Sequence, residues 1–402
     1  MADVGVVMPV YTQKPEFLRQ ALQSVLHQSF TNFRLVVVID GAPDMEPLVR
    51  SIIVEDPRVT VISYAQNRGI AHALNTGFDL LFSEPSIQYL SWVSSDNVYE
   101  PRFLEILRGA LVRGPQELGI VFSSFQSIDN EGKFLHNEHQ LATQRNYQSQ
   151  PKERLLDYSL IGVSFMYKTQ IAKLVGAYGM EPVEDYDYWL RLAEHCEIRF
   201  IPVELVNYRV DSTFSVSAQL HSVENHRRWR YAYHLTRHQA RFRRGIPAMI
   251  TVLYPVVNAC ADEITRIENL YEQTYSNYEC RVLDLSTTRQ PSALLETIPH
   301  PATAFAWLPG AVESHAICSA IEQLSTPFTI VLGPKVFIGA LDIEYMLEAL
   351  ITTGGDTISN YYTDDHSLIG FRHRHVPSTK SHYYNELFRS ADLYDLLKTS
   401  FT

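Results

Sequence analysis

The sequence predicts an α/β protein with a mixed, mostly parallel sheet flanked by helices, followed by a second and smaller α/β unit. Three observations carry this. Short apolar runs alternate with amphipathic stretches, the apolar runs close in small polar or acidic residues, and the same succession returns in the second half. Alternation of this kind builds crossover units, and the residues closing each strand collect at the carboxyl edge of the sheet, where open α/β folds take their ligands. Tyr89-Leu90-Ser91-Trp92-Val93-Ser94-Ser95-Asp96-Asn97 is the clearest case. A carboxylate there suits a hard divalent cation held against a diphosphate, and the same residues also make an ordinary polar turn before a helix.

Taken in order, Val6 to Tyr11 is the first strand, and Phe17, Leu18, Ala21, Leu22, Val25 and Leu26 share one face of the helix after it. Leu35 to Ile39 is the second strand, closed by Asp40-Gly41. Arg58 to Tyr64 is the third, and Asn67-Arg68-Gly69 then supplies a sharp turn into a helix starting near Ala71. Tyr89 to Val93 is the fourth, and the helix after Pro101 lines up Phe103, Leu104, Leu107 and Leu111. Gly119 to Ser123 is the fifth. From Ser127 to Asp157 the chain is polar and aperiodic, which predicts a mobile loop. Order returns at Ile161 to Tyr167, and Glu184 to Glu194 reads as part of an amphipathic helix with an acidic start.

At 402 residues the chain exceeds what one core usually fills, and it divides by composition into 1–220, 221–245 and 246–402. Its 46% hydrophobic and 20% charged residues are those of an ordinary globular protein. A net charge of -11 argues against bulk nucleic-acid binding but leaves room for a local nucleotide site. Cys196, Cys260, Cys280 and Cys318 are scattered without a CxxC pair, so neither a zinc site nor a disulfide framework is expected, and a reducing compartment is. The first residues carry no basic leader, and no apolar run approaches the ~20 residues that span a bilayer. The expectation is a cytoplasmic protein, with any membrane contact peripheral and at the inner face.

His221 to Gly245 holds seven Arg, no Lys and one Glu among Trp229, Tyr231, Tyr233 and Phe242. It reads as a helix leaving the first domain, either solvated with its aromatics packed back or presenting a patch to a membrane or polyanion, and ending in a linker over Arg241 to Gly245. Beyond it, Tyr254-Pro255-Val256 echoes Met8-Pro9-Val10, and Glu272-Gln273-Thr274-Tyr275-Ser276-Asn277-Tyr278 echoes His27-Gln28-Ser29-Phe30-Thr31-Asn32-Phe33. Asp284 falls at the place of Asp40 after one deletion, His315-Ala316-Ile317 parallels His72-Ala73-Leu74, and Phe328 to Val336 parallels Tyr89 to Asn97. Matched segments in one order read as an internal duplication. In the second copy Gly333-Pro334-Lys335-Val336 stands for Ser94-Ser95-Asp96-Asn97, so an ammonium replaces the carboxylate and no cation site is expected there.

Over about Val4 to Ser217 the chain resembles the family 2 glycosyltransferases of the GT-A fold, inverting enzymes that use nucleotide-sugar donors. The resemblance rests on Val7-Met8-Pro9-Val10-Tyr11, Ser24 to Phe33, Asp40-Gly41, Asn67-Arg68-Gly69, Ser94 to Asn97, and Glu184-Asp185-Tyr186-Asp187-Tyr188-Trp189-Leu190-Arg191-Leu192. Each motif is weak alone, and together they are specific.

The resemblance implies a nucleotide site among Pro9, Tyr11, Asp40, Arg68, Ser95 and Asp96. Asp40 matches the acid that contacts the base, although an Asp before Gly is also a common turn. Arg68 matches a position near the diphosphate, or it is a surface arginine. Asp96 matches the last acid of the family's metal-binding motif, whose first acid is here Ser94. A single carboxylate would hold Mn2+ or Mg2+ together with the donor diphosphate and waters. Asp185 matches the catalytic base, and inversion requires one on the face opposite the leaving nucleotide. Acids at a helix start also answer the helix dipole, the role expected of Asp187. Asp211, in Tyr208-Arg209-Val210-Asp211, stands where many relatives have a histidine near the metal. It either restores the negative charge lost at Ser94 or lies in a surface loop.

The expected function is metal-dependent, inverting transfer of a sugar from a UDP-sugar to a saccharide acceptor in cell-surface glycan synthesis. Two alternatives stand beside it. A nucleotidyltransferase would show a Gly-rich basic loop after the first strand, and Tyr11-Thr12-Gln13-Lys14-Pro15 is not one. A non-catalytic nucleotide- or glycan-binding module is favoured by Ser94 and opposed by Asp185. For the second copy a structural or acceptor-positioning role is expected, because no clear Glu-Asp equivalent follows.

Overall fold

The computed structural model of the protein describes residues 2–210, 212, 220–362, 368–374 and 383–398. Strand β1 (Val4–Val10) lies between two parallel neighbours, β2 (Phe33–Asp40) and β4 (Tyr89–Trp92). That position explains its unbroken run of apolar residues, since a strand covered on both faces has no solvent side to alternate with. Val4, Val6, Met8 and Val10 point into one core with helices Pro15–Leu26 and Phe103–Arg113, whose predicted apolar faces are the buried ones. Val7 points the other way, against helix Ile70–Phe82, where a Cβ on Gly77 would come within 2.5 Å of it.

With β3 (Val59–Tyr64), β5 (Val98–Tyr99), β6 (Leu118–Ile128), β7 (Phe165–Lys168) and β8 (Glu197–Arg209), the first sheet has eight strands in the order β3-β2-β1-β4-β7-β6-β8-β5. The run β3-β2-β1-β4 is parallel, and β7 enters antiparallel against β4 and β6. The expected mixed α/β sheet is therefore present. The carboxyl ends of β1, β2 and β4 open on one edge, which gathers Pro9, Tyr11, Asp40 and Ser94 to Asn97.

The polar stretch 127–157 differs from expectation. It contains helix Glu138–Gln148 and a 3-10 turn over Lys152–Leu156. Asn137 and Gln140 form a capping box, and Arg145 bridges Glu138 and Glu204. Only Leu141 and Gln148 are buried on this helix, so capping and ion pairs hold a segment whose apolar periodicity is too sparse to announce it.

The chain packs as two units, Met1–Ala232 and Tyr233–Thr402, and the division falls inside helix Val223–Arg243. The helix continues through residues expected to form a linker. Its later turns belong to the second unit: His234 Nε2 meets the Tyr271 carbonyl at 2.8 Å, and Arg241 donates to Ser276 Oγ at 3.0 Å. Arg230, Arg237 and Arg241 are buried, so much of the helix's positive charge is packed inward rather than presented as a surface patch.

The second unit holds a sheet of β9 (Ile250–Val256), β10 (Tyr278–Asp284), β11 (Thr303–Trp307), β12 (Phe328–Val331), β13 (Thr357–Tyr362), β14 (Leu368–Arg374) and β15 (Leu387–Arg389), in the order β11-β10-β9-β12-β15-β13-β14. Its first four positions repeat the parallel run of the first sheet. The register repeats too: Val4 pairs with Phe33 and Tyr89, and Ile250 with Tyr278 and Phe328.

Candidate active site

Asp40 ends β2 with its carboxylate buried and pointed at the turn after β3. It accepts the backbone N–H of Arg68 at 2.8 Å and of Gly69 at 2.9 Å. The turn passes so close that a Cβ on Gly41, at φ +72, would lie 2.1 Å from the Asn67 amide nitrogen. The Arg68 guanidinium is left exposed at the sheet edge. Each Asp40 oxygen keeps a second lone pair, so the anchoring role does not consume its capacity toward a ligand. Pro9 lies in β1 opposite Val38, and Tyr11 follows the strand with its ring 48% exposed.

Glu181 completes this corner and was not anticipated. Its Oε1 accepts the Ala71 N–H at 2.8 Å, supplying an anionic cap to helix Ile70–Phe82, whose preceding Gly69 has no side chain to do so. A Cβ at Gly69 would meet the same carboxylate at 2.6 Å. The Glu-Pro dipeptide before an acidic helix start was the available signal.

Asp96 is buried beyond β4, and both its oxygens accept hydroxyls: Ser94 Oγ at 2.5 Å and Ser212 Oγ at 2.7 Å. Ser95 beside it is buried as well. Beneath them lies Arg209, 1% exposed, with its guanidinium 3.9 Å from the centroid of the Phe17 ring. It donates to the carbonyls of Asp96, Asp129 and Asn130 and to Gln20 Oε1, and its own N–H reaches Asn97 Oδ1 at 3.0 Å. A buried cation satisfied mostly by carbonyls thus backs the one buried acid of this loop. Asp211, the second expected metal ligand, lies outside the described residues.

Among the described residues no group of three or more His, Cys, Asp or Glu could hold a metal ion alone. The donors around Asp96 are nonetheless all oxygens, one carboxylate and two hydroxyls. This set fits a hard cation that takes its remaining ligands from a diphosphate and water.

Asp185 lies in the first turn of helix Glu184–Leu192 and receives the Trp92 indole N–H at 2.9 Å on Oδ1. Burial pushes its carboxyl well above the ordinary range, and the charge of Glu184 adds to this, while the indole bond opposes it. Glu184 is raised also, by burial and then by Glu181. Tyr99 Oη accepts the Ser94 N–H at 2.7 Å. Burial raises its phenol well above normal, and the charges of both Asp96 and Asp185 push it the same way. One phenol therefore senses both acids, so the cation-site candidate and the base candidate share a neighbourhood. Asp187 lies in the first turn of the same helix, where its charge answers the helix dipole, and it also pairs with Arg191 at 2.8 Å, one turn on.

The second unit is built otherwise at its edge. Asp284 pairs across β10 with Val256, the place Ile39 takes opposite Val10, so it sits one residue before the position of Asp40. A shift of one reverses the face of a strand residue. Accordingly Asp284 turns into its own loop, accepting the amides and hydroxyls of Ser286 and Ser292. Burial pushes its carboxyl up, but these donors outweigh it and hold it below the ordinary value. Gly333, two residues beyond β12 as Ser94 is beyond β4, is covered by Tyr384, whose Cβ is 2.4 Å from where a Cβ would stand. Asn385 accepts the Gly333 N–H and donates to the Lys335 carbonyl, while the Lys335 side chain is exposed.

Residues 5–175 match Glycosyl transferase family 2. An uncharacterized glycosyltransferase of Rickettsia bellii is 24% identical over 335 residues, covering 73% of this chain and 47% of that protein. One of Rickettsia typhi is 26% identical over 232 residues, covering 56% and 69%. The chain thus spans about half the length of the first of these relatives. A solved structure of the mannosyltransferase PcManGT from Pyrobaculum calidifontis, in complex with GDP-Man and Mn2+, is 15% identical, with coverage of 61% and 64% and a TM-score of 0.43. The matched residues 5–175 include the sheet edge that carries Asp40 and Asp96, so the part of the chain that is similar to glycosyl transferase family 2 is the part that builds this site.

Proposed function

We propose that the chain transfers a sugar, with inversion, from a UDP-sugar to a saccharide acceptor of cell-surface glycan synthesis, and that the first unit alone performs the chemistry. The observation that carries this reading is that both acids are bonded to the carboxyl end of β4, Asp185 through the Trp92 indole at 2.9 Å and Asp96 through Ser94 Oγ at 2.5 Å.

The nucleotide would lie across the edge formed by Pro9, Tyr11, Asp40, Arg68, Ser95 and Asp96. Asp40 acts there in two ways, by holding the 67–69 turn through its amides and by offering its free lone pairs to the base. The turn in turn presents Arg68 to the diphosphate, and a planar guanidinium suits phosphate oxygens. Asp96 would hold Mn2+ or Mg2+, with Asp211 as a second candidate. When bound, the cation neutralises charge on the leaving diphosphate.

Asp185 supplies the base. The acceptor hydroxyl oxygen forms a bond to the anomeric carbon as the bond to the diphosphate oxygen breaks, its electron pair leaving with UDP and the hydroxyl proton passing to Asp185. A carboxyl raised by burial holds that proton better than an ordinary one, which suits a base near neutral pH.

The second unit is proposed to be a duplicated copy that has lost donor binding. Gln28 and Gln273 support the duplication. Gln28 accepts the Leu104 N–H and donates to the Glu100 carbonyl, and Gln273 accepts the Ile343 N–H and donates to the Gly339 carbonyl. Loss of the site is supported by Tyr384 and Asn385 seated on the loop at Gly333 and by the turned-in Asp284. A structural or acceptor-positioning role remains for it.

A screen of nucleotide sugars, reading nucleotide release with and without Mn2+, tests the whole. UDP release that depends on Mn2+ and is lost in Asp96→Asn is the expected result. Release unaffected by Asp96→Asn would overturn the assignment.

A further inference from the structure

Strand β4 ends at Trp92, two residues before the loop that carries Ser94 and Asp96. Its neighbour Ser91 faces away and donates to the Phe165 carbonyl at 2.7 Å. The Trp92 ring meets Phe165 edge-on at 6.1 Å, and Phe165 meets Trp189 edge-on at 5.5 Å, so the indole is held by packing and its N–H is left to one acceptor, Asp185 Oδ1 at 2.9 Å. Nothing in a half-buried strand end requires a Trp whose polar atom reaches a helix more than ninety residues away in sequence. A Phe would give Phe165 an aromatic neighbour without the N–H.

We propose that Trp92 is the positioning residue of the catalytic base: its indole N–H fixes Oδ1 of Asp185 and leaves Oδ2 to take the acceptor proton. This rests on the reading of Asp185 as the base. The consequence is mechanical as well as chemical. One rigid strand end sets both the acid beside the donor and the orientation of the acid beneath the acceptor, so the two stay in register.

The groups that act on Asp185 are Glu184 on its own helix, itself raised by Glu181, and the phenols of Tyr99, Tyr167 and Tyr178, which feel its charge. Burial holds all three phenols above their ordinary value, so they stay neutral where the base titrates. Glu184 is the group whose titration would mix with that of Asp185, and Glu184→Gln separates the two.

The test uses the full chain as wild type, Trp92→Phe, Asp185→Asn and Glu184→Gln, with two readouts. The first needs no ligand: Trp92 emission, taken as the difference between wild type and Trp92→Phe, is followed against pH. A step present in wild type and Glu184→Gln and absent from Asp185→Asn is expected. No step, or the same step in Asp185→Asn, overturns the proposal.

The second readout is nucleotide release from UDP-glucose, UDP-GlcNAc and GDP-mannose with Mn2+ and water as acceptor. Trp92→Phe should lower kcat about tenfold, leave the donor KM within about twofold, and move the acid limb of kcat to higher pH, because the carboxylate has lost a donor that stabilised it. An unmoved limb and normal kcat in Trp92→Phe, with Asp185→Asn inactive, overturns the positioning role and keeps the base. Full activity in Asp185→Asn, or release from none of the donors by wild type, removes the base reading and the proposal with it.

Discussion

Ser94 donates its hydroxyl to Asp96 Oδ1 across 2.5 Å, so the residue standing where the family that the chain resembles has its first acid is bonded to the acid that remains. The bond keeps Asp96 oriented but adds no charge for a cation. Ser94→Asp should therefore tighten Mn2+ binding in the absence of nucleotide, and Asp96→Asn should remove metal-dependent UDP binding and lower turnover ~100-fold or more. Calorimetric titration of Mn2+, alone and with UDP, reads both.

Asp185→Asn should leave UDP-sugar affinity within about twofold and lower turnover ~100-fold, the usual scale for loss of a general base. The helix should survive the change, because no side chain caps it at Val183 and Asn is close to Asp in shape. Melting temperature, donor affinity and turnover measured on one preparation distinguish a base from a structural acid.

The raised carboxyls of Glu184 and Asp185 make a statement about stability. An acid whose folded pKa lies above its unfolded value favours the folded state most when protonated, so its contribution is complete below the ordinary carboxyl value near ~4 and is lost as pH rises through the elevated folded value. Asp185→Asn and Glu184→Gln should each flatten the decline of Tm with rising pH over that window. A decline as steep as wild type in both variants would contradict the burial assigned to them.

Gly41→Ala should cost about 2 kcal/mol or more, since the new Cβ meets the Asn67 amide nitrogen at 2.1 Å and the residue sits at φ +72. Because the displaced segment is the turn that Asp40 anchors, donor affinity should fall with stability. Asp40→Ala, which frees the same turn without a clash, should weaken donor binding with a smaller loss of Tm. Chemical denaturation together with UDP titration checks the pair.

One UDP should bind per chain. Asp96→Asn should abolish that binding outright, leaving no residual stoichiometry at the second unit, where Tyr384 covers Gly333 and Asp284 faces its own loop. Residual binding of a full equivalent in Asp96→Asn would place a nucleotide at the second edge.

What the sequence determined by itself was local and periodic. The apolar runs of β1, β2 and β4, the single faces of helices Pro15–Leu26 and Phe103–Arg113, and the paired motifs around Gln28 and Gln273 are legible because burial imposes a repeat that residue order displays. The identity of the edge acids, Asp40 and Asp96, follows from the same logic, since a strand must stop where polar residues begin. Tertiary structure alone decided which groups meet. Nothing near Trp92 in the chain announces Asp185, nor does Ser94 announce Ser212 or Glu181 announce Ala71, because a hydrogen bond across a hundred residues leaves no periodic trace. The helix Glu138–Gln148 escaped prediction for a related reason: a capping box and two ion pairs hold it, and only two of its residues are buried. The misplacement of Asp284 shows the limit most simply. An alignment of letters tolerates a one-residue slip, whereas a β-strand, with its period of two, sends that residue to the opposite face.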